Sequence, residues 1–107
     1  STIHSGEIKA WKRHKKMVLN LVVPLGEVKF VFFDDRPNSP SYENYSEVIL
    51  SKDNYCRITI PPMLWMGFCG LGPDTSVVLN IASIEHSSDE VDKKEVDQIL
   101  YNWEPGQ

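Results

Sequence analysis

The stretch GEIKAWKRHKKM, residues 6–17, gathers five Lys or Arg and one His into the eight residues from Lys9 to Lys16. Those residue types support a short list of chemistries. Ammonium and guanidinium groups hold phosphoryl oxygens and carboxylates through charge-assisted hydrogen bonds. An imidazole moves protons near neutral pH. A lysine beside a ketone stabilises the oxyanion of an enolate, or acts as the base itself where desolvation lowers its pKa. In an extended strand successive side chains alternate faces. Ile8, Ala10, Lys12 and His14 then share one face, and Glu7, Lys9, Trp11 and Arg13 the other. The first face begins apolar, so it is read as pointing inward, with Lys12 and His14 at the mouth or floor of a cavity. The alternative is an outward face with solvated charges. On the inward reading Lys12 and His14 are the candidate catalytic residues. Lys9, Arg13 and Lys16 are candidates for a diphosphate, with Arg57 as a second clamp. Trp11 and Trp65 could stack on a base or a sugar, against the plainer reading of wall packing.

The body around this strip is acidic. The chain of 107 residues has a net charge of −4, from 11 basic and 15 acidic residues. Residues 9–16 hold +5, so the remainder carries 6 − 15 = −9. A nucleic-acid binder shows a basic domain, so no nucleic-acid partner is expected. A basic strip on an acidic body suits a small anion such as a phosphate or diphosphate.

The elements that must position these residues read as strands. MVLNLVVP (17–24) and EVKFVFFD (27–34) are rich in β-branched and aromatic residues. Pro24-Leu25-Gly26 between them is read as the tight turn of a hairpin. DDRPNSPSY (34–42) is a loop, and SEVILS (46–51) and YCRITI (55–60) are two further strands, the second stopped by Pro61-Pro62. Residues 63–72 are an irregular strand or loop, and SVVLNIASI (76–84) is a strand. SSDEVDKKEVDQIL (87–100) is a charged loop with one helical turn. Tyr42 and Tyr45 flank the Pro-rich loop at the mouth of the pocket, where hairpin packing explains them equally; His4 and His86 are read as surface residues. Six or seven short strands with Pro/Gly turns predict an all-β, antiparallel sandwich or barrel, a jelly roll, in a single domain over residues 1–107. STIHSGEIKA has the texture of a strand interior, which leaves open that N-terminal strands are missing. No run of 18 apolar residues occurs, so no membrane span is expected. No signal peptide is visible, so the expected location is cytoplasmic, with Cys56 and Cys69 as buried, reduced thiols.

The order of several short motifs resembles the cupins. Gly6, then Lys12, Arg13 and His14, then Gly26, follow the spacing of the first cupin motif, and Pro61-Pro62-Met63-Leu64-Trp65-Met66-Gly67-Phe68 is similar to the second. The nearest branch is the dTDP-4-dehydrorhamnose 3,5-epimerase family. Gly6-Glu7-Ile8-Lys9-Ala10-Trp11-Lys12 resembles its G-V-x-R-G-L-H strand, and Gly26-Glu27-Val28 its G-E-V. Asp34-Asp35-Arg36 with Ser39-Pro40-Ser41-Tyr42 resembles its D-x-R…S-P-T-Y, and Arg57-Ile58-Thr59-Ile60-Pro61-Pro62 its R-x-x-I-P-P. The resemblance runs from residue 6 to about residue 84. It implies a cupin-type jelly roll, a homodimer, and action on a nucleotide-linked 4-keto-6-deoxy sugar in surface-polysaccharide synthesis.

The departures bear on the chemistry. Cupin metal ligands would fall at Lys12, His14, near Leu19 and at Met66, and only His14 among these suits a first-row metal. A metal-free site with no cofactor is therefore expected. The family's catalytic histidine falls at Lys12, its active-site tyrosine near Asn80, and the aspartate that supports its histidine has no match. Two functions are carried forward: a metal-free epimerase or isomerase of a 4-keto-6-deoxy sugar nucleotide, and a non-catalytic cupin module that binds a sugar nucleotide or a partner enzyme.

Overall fold

The computed structural model describes residues 1–81 and 90–103. Among the described residues nine strands run β1 Thr2–Ile3, β2 Ile8–His14, β3 Leu19–Leu25, β4 Val28–Phe33, β5 Tyr45–Leu50, β6 Ile58–Ile60, β7 Trp65–Gly70, β8 Ser76–Asn80 and β9 Val91–Lys93. They form two sheets of antiparallel strands, β1-β8-β3-β6 and β5-β4-β7-β2-β9. A 3-10 turn covers Val96–Gln98. The all-β jelly-roll expectation holds. No described helix is long and apolar enough to cross a membrane. The part of the 76–84 strand beyond residue 81, the start of the 87–100 segment and His86 lie outside the described residues.

Period-two alternation builds the core. Val28, Phe30 and Phe32 of β4 face Leu19, Leu21 and Val23 of β3, with Val78, Ile60 and Leu50 closing the layer. Met66 and Phe68 pack against this core from β7, and the Phe30 and Phe68 rings lie 5.5 Å apart. Burying each such aromatic or aliphatic side chain stabilises the fold by about 2 kcal/mol.

One expectation is corrected here. β3 and β4 do not form a hairpin: β3 pairs with β6 and β8, while β4 pairs with β5 and β7. The Pro24-Leu25-Gly26 corner instead carries the chain from one sheet to the other. Gly26 sits at φ +91°, and a Cβ there would lie 2.1 Å from Ser76 Oγ. The corner therefore needs both the left-handed conformation and the missing side chain.

The true hairpin is β4–β5, across the Pro-rich loop. Its loop is organised by Asp34, buried with its carboxylate accepting from the Arg36 backbone N–H and guanidinium and from the Ser39 and Ser41 hydroxyls. The Arg36 guanidinium, outweighing burial, holds the Asp34 carboxyl well below the usual range. The D-x-R…S-P-S-Y stretch thus closes a loop upon itself. Tyr42 lies exposed on it, and Tyr45 packs on Phe33 with ring centroids 4.7 Å apart while its hydroxyl donates to the Leu100 carbonyl.

A second apolar layer covers the outer face of the five-stranded sheet. Trp11, Val31 and Trp65 are buried there beneath Ile99, with Ala10, Phe33, Tyr101 and Trp103 around them. Gly67 makes room for this cover: a Cβ on it would meet Ala10 Cβ at 2.7 Å and the Trp103 ring at 3.0 Å. Cys69 is buried as expected, and burial pushes its thiol pKa up. Cys56 is exposed, contrary to expectation, because residues 55–57 precede the three-residue β6 rather than belonging to it.

Candidate functional site

Strand β2 carries the basic cluster, and its partners decide where each charge points. It lies between β7 and β9. Side chains directly opposite each other in an antiparallel pair share a face. Lys9 is opposite Phe68 and Lys12 opposite Met66, both of which turn toward the core between the sheets. Arg13 is opposite Trp65, on the outer face.

The simple alternation fails in the middle of this strand. The register shifts between Lys9 and Lys12, where Ala10 and Trp11 together stand against the single residue Gly67 in a bulge, and both pack into the outer layer. A bulge of this kind adds a residue and swaps the faces beyond it. Lys9, expected opposite to Lys12, stands on the same side as Lys12. Ile8, expected on the side of Lys12, is opposite Cys69 and faces outward.

A cleft of about 480 Å³ opens at this edge of the sandwich. Met66 and Phe68 form its apolar floor, and Lys9, Lys12, Lys93 and Lys94 reach its walls, with Glu95 and Gln98 at the rim. Lys9 Nζ donates to the Thr2 carbonyl. That neutral acceptor leaves the positive charge uncompensated. Lys94 Nζ sits 4.8 Å from the Trp65 ring centroid, so its ammonium belongs to the outer face and only the rest of the residue borders the cleft. Lys12 and Lys93 are exposed, and among the described residues neither is engaged in a hydrogen bond or ion pair through its side chain.

His14 follows two residues after Lys12. Its Nδ1 lies 2.8 Å from Glu90 Oε2, with 13% and 4% of the two side chains exposed. The other Glu90 oxygen accepts from the backbone N–H groups of Lys16 and Met17, at 2.9 and 2.7 Å. Burial opposes the charge on Glu90, but these two N–H bonds and the His14 contact prevail and bring its pKa down to about 2. A carboxylate that stays ionised fixes the imidazole with Nδ1–H toward it. That tautomer leaves Nε2 as the proton acceptor. Sequence reasoning missed Glu90. It is 76 residues from His14, in a stretch whose charged texture gave no sign of pairing with β2.

The other candidates are dispersed. Arg13 is held outside by Asp92 at 2.7 Å and Asp35 at 3.2 Å, and its guanidinium lies 4.7 Å from the Trp65 ring centroid. Trp65 is 2% exposed and donates Nε1–H to Asp35. Trp11, 1% exposed, packs in the same outer layer and also borders the cleft, so both tryptophans are wall residues in this structure. Lys16 and Arg57 are exposed and do not line the cleft. Asn80, on the other sheet, accepts from the Asn20 backbone N–H at 3.2 Å. His4, expected without a partner, lies at the surface with Nδ1 3.0 Å from the Thr75 hydroxyl. The structure brings together Lys9 and Lys12 in the cleft and adds Lys93, which was not singled out from sequence; His14 is next along β2, turned to Glu90, and is not among the residues that line the cleft. Among the described residues no group of three or more His, Cys, Asp or Glu side chains gathers to hold a metal ion.

Comparison with known proteins bears on the same region. Residues 8–104 match the family model described as dTDP-4-dehydrorhamnose 3,5-epimerase. A probable low-salt glycan biosynthesis epimerase of Haloferax volcanii, Agl13, is 27% identical over 97 residues, covering 90% of this chain. The chain spans 62% of that relative's length. A dTDP sugar isomerase from Desulfovibrio desulfuricans G20 superposes with a TM-score of 0.92 at 33% identity, over 96% of this chain and 68% of that one. A dTDP-4-dehydrorhamnose 3,5-epimerase from Bacillus anthracis, solved with TDP and PPi bound, superposes with a TM-score of 0.83 at 25% identity, over 96% of this chain and 62% of that one.

Proposed function

Because the chain belongs to the dTDP-4-dehydrorhamnose 3,5-epimerase family, we propose that it is the jelly-roll core of a sugar-nucleotide epimerase acting on a dTDP-linked 4-keto-6-deoxy sugar in the synthesis of a surface glycan. The observation that carries this reading is the cleft of lysines over an apolar floor, set in an otherwise acidic chain. Such a floor lowers the local dielectric and strengthens each ammonium–oxyanion contact. The reading includes a homodimer, as the family resemblance implies, and a location in the cytoplasm.

Epimerisation next to a ketone breaks a C–H bond α to the carbonyl. The electron pair moves into a C=C bond and the carbonyl oxygen becomes an enolate. Water then supplies a proton to the same carbon from the other face, and the proton taken by the base passes to water. In the proposed arrangement His14 Nε2 takes the proton, with Glu90 holding the ring and offsetting the imidazolium charge. Lys12 places its side-chain nitrogen beside the enolate oxygen. Lys9 supports the phosphates.

A second reading rests on Lys12 itself. By the motif resemblance it falls at the position of the family's catalytic histidine, and a chain without that histidine would bind a sugar nucleotide and leave it unchanged. Incubation with a dTDP-4-keto-6-deoxy sugar in deuterium oxide separates the two. The epimerase reading predicts deuterium on the carbons beside the ketone, well above a protein-free control. Binding without incorporation selects the module, and neither binding nor incorporation removes the sugar-nucleotide reading.

A further inference from the structure

The β2–β9 pair contains two rungs of contrasting charge. Arg13 stands opposite Asp92, and the two close a 2.7 Å ion pair on the outer face. One residue along, Lys12 stands opposite Lys93 on the cleft side. Side chains so paired have Cβ atoms roughly 5 Å apart, and like charges there repel. The outer rung is compensated by its own partner strand; neither lysine of the inner rung forms an ion pair among the described residues, and the carboxylate that shares their cleft is Glu95 at its rim. Both lysines are exposed to the same cleft, above Met66 and Phe68, and Lys9 adds a third charge from the far side of the bulge. An edge strand of three residues has no need of a lysine at this rung to hold its register, since Arg13–Asp92 already does so.

We infer that Lys93 is a phosphate-binding residue: it holds the diphosphate of the ligand while Lys12, across the rung, stands at the sugar carbonyl. Two ammonium groups that face one cleft from adjacent strands suit a ligand with two electron-rich centres a few ångströms apart. A sugar nucleotide has them, in the phosphoryl oxygens attached at one ring carbon and the ketone across the ring. The carbonyl half of this inference rests on the proposed function; the phosphate half does not.

The test is titration calorimetry with dTDP, inorganic pyrophosphate and thymidine. Lys93→Ala is expected to bind dTDP and pyrophosphate about tenfold more weakly than wild type, from the loss of one charge-assisted contact. Thymidine, which has no phosphate, is expected to bind variant and wild type alike. Lys93→Arg is expected to retain most of the phosphate affinity. An exposed side chain leaves the thermal midpoint nearly unchanged. Unchanged pyrophosphate and dTDP affinity in Lys93→Ala would overturn the inference, as would an equal loss for thymidine. If wild type binds both phosphates through Lys93 yet exchanges no deuterium, the inference stands and the epimerase falls. If wild type binds neither, both fall.

Discussion

Glu90→Ala is expected to cost about 3–5 kcal/mol of stability, the range found when one partner of a buried charged pair is removed. The Glu90 carboxylate is 4% exposed and satisfies three donors at once: the N–H groups of Lys16 and Met17 and the His14 imidazole. Removing it strands two backbone donors at the turn between β2 and β3 and frees His14 together. Glu90→Gln keeps the shape but gives up the charge and one acceptor, so a smaller loss is expected, and that variant serves if the alanine protein does not fold. The pH dependence follows from the same group. Its folded pKa, about 2, lies below the ordinary carboxylate value of 4.5. Its contribution is therefore complete above about pH 4.5 and is lost as pH falls toward 2; the shift corresponds to about 3 kcal/mol. Urea unfolding followed by tryptophan emission, at pH 7 and at pH 3, checks both. A loss below 1 kcal/mol in Glu90→Ala at pH 7, or a difference between wild type and Glu90→Gln that does not shrink at pH 3, contradicts the account.

His14→Ala is expected to reduce deuterium incorporation by at least about 100-fold, the lower end of what a positioned acid–base group contributes. Lys12→Ala is expected to fall by a similar factor, because the enolate loses its nearby cation. The two differ in structure. His14 is half-buried against Glu90, so its removal also costs stability; Lys12 is exposed, so its removal does not. Lys12→Arg keeps the charge without the compact ammonium, and intermediate incorporation is expected. Exchange that survives in both alanine variants means that some other residue moves the proton.

The sequence alone made the strands legible where alternation was clean. Leu19–Leu25 and Val28–Phe33 are rich in β-branched and aromatic residues; the first alternates in burial as far as Val23, the second buries both faces at Phe30–Phe32, and Tyr45–Leu50, an edge strand, buries only Leu50. The short motifs, taken in order, were enough to point to the family. Three things were not readable, for separate reasons. The Pro24-Leu25-Gly26 corner has the residues of a hairpin turn, and only the long-range pairing of β3 with β8 shows that it joins two sheets. The bulge at Ala10-Trp11 has no residue signature. It nonetheless moved Lys9 to the side of Lys12, against the expected pattern. Glu90 and Lys93 lie in a charged stretch whose role depends on joining an edge already built by β2. Local composition carries no trace of a partner nearly eighty residues away.

Of the five basic residues gathered in 9–16, only Lys9 and Lys12 line the cleft. Arg13 is used in an ion-paired lattice with Asp35 and Asp92 that seats Trp65. Lys15 lies 3.6 Å from Asp92 in the same outer network. The basic run is thus divided between Lys9 and Lys12, which line the cleft, and Arg13 and Lys15 in the outer network, while Lys16 is exposed and joins neither.

The most direct measurement of the central claim is a crystal structure of this chain with dTDP. The account predicts the diphosphate in the cleft, with phosphoryl oxygens within hydrogen-bond distance of Lys93 Nζ and Lys12 Nζ turned toward the space beyond the β-phosphate. A nucleotide seated elsewhere, on the outer face of either sheet and away from Lys9, Lys12 and Lys93, would contradict it.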